Sequence, residues 1–357
     1  VSIQRFVTRA LSEWMNGSGP DADIVVSSRI RLARNLRDLP FPYLATNSQL
    51  ETVLERVQRA LKQEVLAPYR FTWIPMEELT DIDKRVLVEK HLISPMLAEE
   101  ARKGAVAISE DERVSIMVNE EDHLRIQVLF PGLQLAEAWQ LASRIDDALE
   151  AVLNYAFDER RGYLTACPTN VGTGIRASVM VHLPALVMTQ QVGRILTAIH
   201  QVGLVVRGLY GEGSEALGNL FQISNQITLG RSEEDILENL HGVVKQVIEH
   251  ERGARRTLLE TNRLKLEDRL SRSFGILSHA RIIESKEAIQ RLSDVRLGVD
   301  LGLFRGVTPA TLNELTVMTQ PGFLQRWAGQ ALSPEQRDER RARLIRERLN
   351  RAAGGES

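Results

Sequence analysis

The stretch "VNEEDHLRIQ", from Val118 to Gln127, sets Glu120, Glu121, Asp122 and His123 in consecutive positions between two alternating apolar runs. Like charges at such spacing repel, and a solvated acidic turn is the ordinary explanation. A second acid, Glu212, lies in the glycine-flanked "YGEGSE", which on its own reads as a surface turn. Arginines stand in equally unusual places: Arg29 and Arg31 in "SSRIRLARN", Arg125 in "DHLRI", Arg176 in "GTGIRAS" and Arg207 in "VVRGLYGEGSE". A single arginine beside apolar neighbours is usually a structural ion pair. Together these arginines describe a polyphosphate cradle, because guanidinium forks bind phosphate bidentately and stay charged at working pH. Two carboxylates facing such a cradle suit a cationic nucleophile.

Common nucleotide and metal motifs are missing. "GTGIRA" (Gly172 to Ala177) matches part of a dinucleotide fingerprint, but polar "CPTN" precedes it and Arg194 stands near the expected acid. That reading is rejected. There is no GxxxxGK[ST] loop, no H-R-D or D-F-G pattern and no HExxH. The histidines are scattered, and Cys167 is the only cysteine, which excludes an internal disulfide and a multi-cysteine zinc site.

These residues need elements to position them. "RVSIMVN" and "LRIQVLF" alternate with period two and predict an antiparallel hairpin with the acidic quartet at its junction. "SVMVHL", "VGLVVRG" and "LFQISNQI" predict further strands. "NSQLETVLERVQRALKQEVL" predicts a helix opened by a Ser48–Glu51 capping box. "LQLAEAWQLASRIDDALEAVLNYAF" predicts a long amphipathic helix, and "SEEDILENLHGVVKQVIEHE" another with Ser232 as N-cap. After about residue 255 the pattern is helical, ending in arginine-dense "RDERRARLIRERLNR". The expected class is α+β. A catalytic domain over 1–254 with a largely antiparallel sheet flanked by helices is followed by an all-α C-terminal domain over 255–357, with a boundary near Gly253.

The chain has 357 residues, 43% hydrophobic and 26% charged, with net charge −2. That balance gives no bulk field for direct nucleic-acid or membrane binding. No apolar run approaches the ~18 residues of a membrane span. No signal-peptide core is found, so the expected location is cytoplasmic.

"SSRIRLARNL", "NEEDHLR", "CPTNVGTGIR" and "RGLYGEGSE…ISNQ" resemble, in order, the motifs of the phosphagen (arginine and creatine) kinases. The resemblance covers roughly residues 20 to 250. Phosphagen kinases carry a helical domain before the "SSRIR" segment, including a loop that clamps the small guanidino substrate; here that segment begins at Ser27. A helical domain follows instead. Both departures resemble the bacterial protein arginine kinases of the McsB type, whose substrates are arginine side chains of proteins.

Residue by residue, the resemblance implies that Glu121 and Glu212 hold the substrate guanidinium. It implies that Arg29, Arg31, Arg125, Arg176 and Arg207 contact the nucleotide phosphates and that His91 contacts the nucleotide. Cys167 matches the family's reactive cysteine, and its bland reading is a small buried hydrophobe. The implied co-substrate is ATP, with Mg²⁺ bound through ATP and no dedicated protein metal site. A guanidinium has a pKa above about 12 and is a poor nucleophile. Paired carboxylates would fix its plane and accept the departing proton, and either glutamate can be the base.

"SPEQRDERRARL" predicts a helix start at Ser333, capped with Gln336 and with Pro334 at the first position. Composition makes its charges a solvated face. Protein arginine kinases carry R-D-x-x-R-A here, matched by Arg337, Asp338, Arg341 and Ala342, which implies an allosteric phosphoarginine receptor. The resemblance also implies a role in bacterial stress response and protein quality control. Its partners would be a zinc-binding activator protein, a heat-shock transcriptional repressor as substrate, and a Clp protease. A homodimer is expected. The competing functions are a small-molecule guanidino kinase and a non-catalytic adaptor with a kinase-like fold.

Overall fold

A computed structural model describes residues 3–208 and 216–354. Its strands are β1 (Val25–Arg34), β2 (Thr72–Pro75), β3 (Ala105–Ile108), β4 (Val114–Val118), β5 (Leu124–Pro131), β6 (Phe157–Asp158), β7 (Gly162–Tyr163), β8 (Ile175–His182), β9 (Leu204–Gly208) and β10 (Leu220–Asn225). The helices of the first part are α1 (Gln4–Thr8), α2 (Asn47–Ala60), α3 (Asp81–Glu89), α4 (Pro95–Glu99), α5 (Leu135–Glu150), α6 (Pro184–Met188), α7 (Val192–Gln201) and α8 (Glu233–Thr261). Those that follow are α9 (Arg263–His279), α10 (Ser285–Asp300), α11 (Pro309–Met318), α12 (Pro321–Ala328) and α13 (Pro334–Gly354).

Eight strands form one sheet in the order β2-β3-β4-β5-β1-β8-β10-β9, and every neighbouring pair is antiparallel. Period-two alternation gives the central strands two chemically different faces. Ile30 and Leu32 of β1, Ile126 and Val128 of β5, Ala177 and Val179 of β8 and Ile223 of β10 are buried in one apolar core. Helices α5 and α8 cover that side, with Leu141, Ile145, Leu240 and Val244 fully or nearly buried against it. Burying each such side chain stabilises by about 1.5–3 kcal/mol. The opposite face carries the arginines.

Arg34 ends β1 on the apolar side. Its Nη2 lies 2.7 Å from Asp146 of α5, Nη1 donates to the Ala33 and Thr173 carbonyls, and its guanidinium stacks 3.5 Å above the Tyr163 ring. Gly174 has φ +68° and gives its carbonyl to the Ala33 amide, and a side chain there would strike Arg34. The second glycine of "GTG" therefore serves the packing of Arg34, and the first lets the chain pass close to the Thr228–Leu229 backbone.

The β4–β5 hairpin and the strands at β8, β9 and β10 fall where expected. Two helix boundaries differ. Helix α2 is capped by Thr46 with Gln49, whose reciprocal bonds form the box, and Ser48 is already inside the helix. The pattern S/T-x-x-E/Q occurs here in two overlapping registers. Helix α5 stops at Glu150 although its apolar spacing continues, because Ala156 donates to the Asn35 carbonyl and Tyr155 pairs with Leu36. Ser232 caps α8 as expected, and this 29-residue helix runs through Gly253 to Thr261. Beyond it, residues 263–354 contain helices and no strand.

Candidate active site

The open face of the sheet is built by register. Arg31 of β1 stands opposite Arg176 of β8 and Gln127 of β5, and Arg29 stands opposite Ser178. Arg125 lies two residues before Gln127 and so shares the face. On the other flank Arg207 of β9 pairs with Gln222 of β10. Arg29 Nη2 donates to Gln222 Oε1 at 2.7 Å and its Nε to Ser178 Oγ at 3.3 Å. Arg176 Nη1 donates to the Asn225 carbonyl at 3.1 Å. Arg29, Arg31, Arg207, Gln127, Gln222 and His91 line one cleft.

This cleft has too much positive charge for its own comfort. Burial, then the charges of Arg125 and Arg176, push Arg29 down to about 10. Arg31 is pushed well down by burial and by Arg29, Arg125 and Arg176, with Glu120 only partly offsetting them. Its Nε is buried and has no hydrogen-bond partner among the described residues. Cations held against each other in a half-buried site destabilise the chain unless an anion completes them. A polyphosphate supplies that charge and the acceptor oxygens.

His91 forms the wall of the cleft in a left-handed conformation, φ +56°. Its carbonyl accepts from Gln127 Nε2 at 2.8 Å, and its ring meets Trp14 edge-on at 5.7 Å. Burial, with the Arg29 charge adding, holds the imidazole down at about 3, so it is neutral at physiological pH. A neutral ring can pack against or hydrogen-bond a nucleotide without adding to the cation excess.

The acidic quartet divides its work. Glu120 is buried, takes Arg125 Nη1 at 2.7 Å and accepts from Ser94 Oγ. Glu121 takes Arg125 Nη2 at 3.1 Å, yet its side chain is 31% exposed against 1% for Glu120. Asp122 is buried and ties Asn35 at the end of β1 to the Ala166 amide. His123 accepts from the Leu36 amide through Nδ1 and donates from Nε2 to the Pro40 carbonyl. Glu120 and Glu121 both line a second cleft, with Tyr43, Leu44, Met96 and Ala166 among its walls. Arg125 therefore joins an acid-lined cleft to the cationic one.

Cys167 follows Ala166 beside that acid-lined cleft. It is partly exposed, with Sγ 3.0 Å from Thr169 Oγ1. Glu212 lies outside the described residues. Among the described residues no group of His, Cys, Asp and Glu side chains could hold a metal ion.

The C-terminal motif sits at the start of α13, where Ser333 and Gln336 make the expected box at 3.0 and 3.3 Å. Arg337 is half-buried and donates to the Leu332 carbonyl. Arg341 is 1% exposed and is an internal tie, not a solvated charge. Its Nε donates to the Thr319 carbonyl at 2.8 Å, and its Nη1 to the Ile283 carbonyl at 2.9 Å and to Asp338. The solvated-face reading fails for Arg341, and so does the picture of it as an open fork in this conformation.

Sequence reasoning missed Glu120, Gln222, Ser178 and Asn225. Alternation along "LFQISN" and "RASVMV" would have placed Gln222 and Ser178 on the arginine face, whereas Asn225 has the parity of Ile223 and meets Arg176 through its backbone carbonyl.

Residues 52–254 match the ATP:guanido phosphotransferase C-terminal catalytic domain, and residues 263–357 match the protein-arginine kinase McsB C-terminal domain. A protein-arginine kinase of Brevibacillus brevis is 66% identical over 350 residues, covering 98% of each chain. One of Halalkalibacterium halodurans is 66% identical over 349 residues, again with 98% of each covered. The chain belongs to the protein-arginine kinase family. Its fold is that of the phosphagen kinases. A solved lombricine kinase superposes with TM-score 0.58 at 26% identity, covering 68% of this chain and 70% of that one. The cationic cleft and the acidic hairpin both lie within the region matched by the guanidino phosphotransferase domain, apart from the β1 arginines just before it, and the Arg337–Arg341 motif lies within the region matched by the family's C-terminal domain.

Proposed function

We propose that the chain is an ATP-dependent kinase that transfers the γ-phosphoryl group to arginine side chains of proteins. One observation carries this: a half-buried, mutually repelling arginine field meets, at Arg125, a partly exposed carboxylate. Arg29, Arg31, Arg125, Arg176 and Arg207 hold the phosphates, and His91 walls the nucleotide side. Mg²⁺ bound with ATP supplies further neutralisation of phosphate charge. Glu121, with Glu212 as the family's second acid, fixes the plane of the incoming guanidinium. A guanidino nitrogen forms a bond to the γ-phosphorus, the bond to the bridging oxygen of ADP breaks, and a carboxylate takes the nitrogen's proton. Fixing both partners in line contributes about 7–11 kcal/mol to such a reaction.

The acid-lined cleft supports a protein acceptor over a free guanidino compound. Its rim carries Tyr43 and Leu44, each 67% exposed, and Met96, 39% exposed. That rim fits an extended segment with apolar residues near its arginine. The test is incubation with γ-labelled ATP and either free arginine or an unfolded protein, followed by acid treatment. Acid-labile label on protein, with arginine phosphorylation by mass spectrometry, is expected; label on free arginine alone would establish a small-molecule guanidino kinase instead.

The proposal extends, on the family resemblance, to bacterial stress response in the cytoplasm. The same basis adds a zinc-binding activator, a heat-shock repressor substrate and a Clp protease that takes marked proteins. Exposed Leu264 and Ile282 on the helical part fit a homodimer contact. Arg337, Asp338 and Arg341 would form an allosteric phosphoarginine site once Asp338 releases Arg341.

A further inference from the structure

Three consecutive residues at the end of α3 reach three different bodies of the protein. Lys90 Nζ is fully buried, donates to the Phe6 and Arg9 carbonyls at 2.9 and 2.7 Å and pairs with Glu112 at 2.7 Å. His91 walls the arginine cleft. Glu89 turns the other way, into the C-terminal helices. Its carboxylate accepts from the Gly322 amide at 2.7 Å and the Phe323 amide at 2.8 Å, in the first turn of α12.

That contact is built for close approach. A Cβ on Gly322 would stand 2.9 Å from both Glu89 oxygens and 2.7 Å from Arg85 Cγ. Only glycine lets the carboxylate settle on the amides at this distance. Glu89 is 8% exposed, and burial raises it to about 7 although the two amides pull it down. A carboxyl kept there at such cost is held by a specific geometry. Glu89 and His91 also line one cavity with Trp14, His182 and Gln320, so the α12 contact and the cleft wall border a common space. The turn before α12 is held from the far side as well, by Arg341 Nε on the Thr319 carbonyl.

We propose that Glu89 is a positioning residue for the nucleotide cleft. Docking of α12 on its carboxylate fixes the end of α3 and, two residues on, the His91 wall. The C-terminal helices thereby set how tightly ATP is held. This rests on reading the arginine cleft as the nucleotide site.

The experiment titrates the full-length chain with ATP and Mg²⁺ by calorimetry, in Glu89→Ala, Glu89→Gln and Gly322→Ala. Arg31→Met runs alongside as the control for the cleft itself. In Glu89→Ala and Gly322→Ala, affinity for ATP is expected to fall roughly five- to tenfold, about 1–1.4 kcal/mol. Glu89→Gln, which keeps one carbonyl oxygen for one amide, should recover part of the loss. KM for a protein acceptor should stay unchanged while KM for ATP rises. Gly322→Ala is the stronger arm, because it disturbs the contact from the C-terminal side without touching the cleft. Wild-type ATP affinity in the folded Glu89 and Gly322 variants, with affinity lost in Arg31→Met, overturns the inference alone. Wild-type affinity in Arg31→Met overturns the cleft reading, and the inference with it. A lowered melting temperature with ATP and acceptor constants both unmoved marks the contact as a mere brace and also overturns it. Should Glu89→Ala fail to fold, Glu89→Gln and Gly322→Ala decide.

Discussion

Arg125 Nη2 lies 3.1 Å from Glu121 Oε2, so the carboxylate assigned to an incoming guanidinium already holds one from its own chain. The second nitrogen of the same fork is taken by Glu120 at 2.7 Å. On the proposed function, phosphate at the cationic cleft would give Arg125 an alternative partner and so free Glu121 for the acceptor.

Glu121→Gln keeps the shape and removes the charge. Turnover should fall about a hundredfold or more, the usual worth of an acid–base group, while ATP binding is largely kept. Steady-state kinetics beside calorimetry reads both, and near-normal turnover would remove Glu121 from the mechanism.

Arg31→Met removes a half-buried cation whose buried Nε has no partner among the described residues. The ligand-free protein should be as stable as wild type or more so, by up to ~1–3 kcal/mol, because relieved burial and repulsion offset the lost arginine. ATP affinity should fall together with that gain. Thermal denaturation with and without ATP checks both signs, and a destabilised variant with intact ATP binding would contradict the cradle. Arg176→Ala should likewise weaken ATP binding by removing a phosphate fork.

His123 is held down at about 4 by burial. Its folded value lies below its unfolded one, so the neutral ring contributes stability above about pH 6.5, and that contribution is lost as pH falls toward 4. A shift from 6.5 to about 4 corresponds to a linkage of roughly 3 kcal/mol over this window. Chemical denaturation at stepped pH reads the loss, and a His123 ring resonance titrating near 6.5 would rule out the buried neutral state.

Arg341→Ala should cost about 2–4 kcal/mol, since it strands the Thr319 and Ile283 carbonyls and Asp338. Arg337→Ala should stay within about 1 kcal/mol of wild type, having one carbonyl contact to lose. Phosphoarginine titration of Arg337→Ala then tests the receptor free of unfolding, and unchanged binding there would leave α13 as a structural helix.

Alternation announces β4, β5, β8, β9 and β10, while the short β2, β3, β6 and β7 carry no such signal. "SSRIRLARN" alternates, and alternation alone puts Arg29 and Arg31 on one side with Ile30 and Leu32 on the other. The same rule places Arg34 on the apolar side, where Asp146 of α5 meets it. The Ser333 cap was equally legible, because a capping box closes within three residues. The Thr46 cap was not, since two registers satisfy the same pattern and tertiary packing selects one. Long-range packing sets the division of labour in "NEEDH". Glu120 is committed by Ser94, Asp122 by Asn35 and Ala166, and His123 by Leu36 and Pro40. It alone brought Glu89 to Gly322, 233 residues away. Periodicity and caps arise from backbone sterics within a few residues, so a single sequence carries them openly. Which carboxylate stays exposed and which is buried depends on what the whole chain folds against it, and no local pattern encodes that.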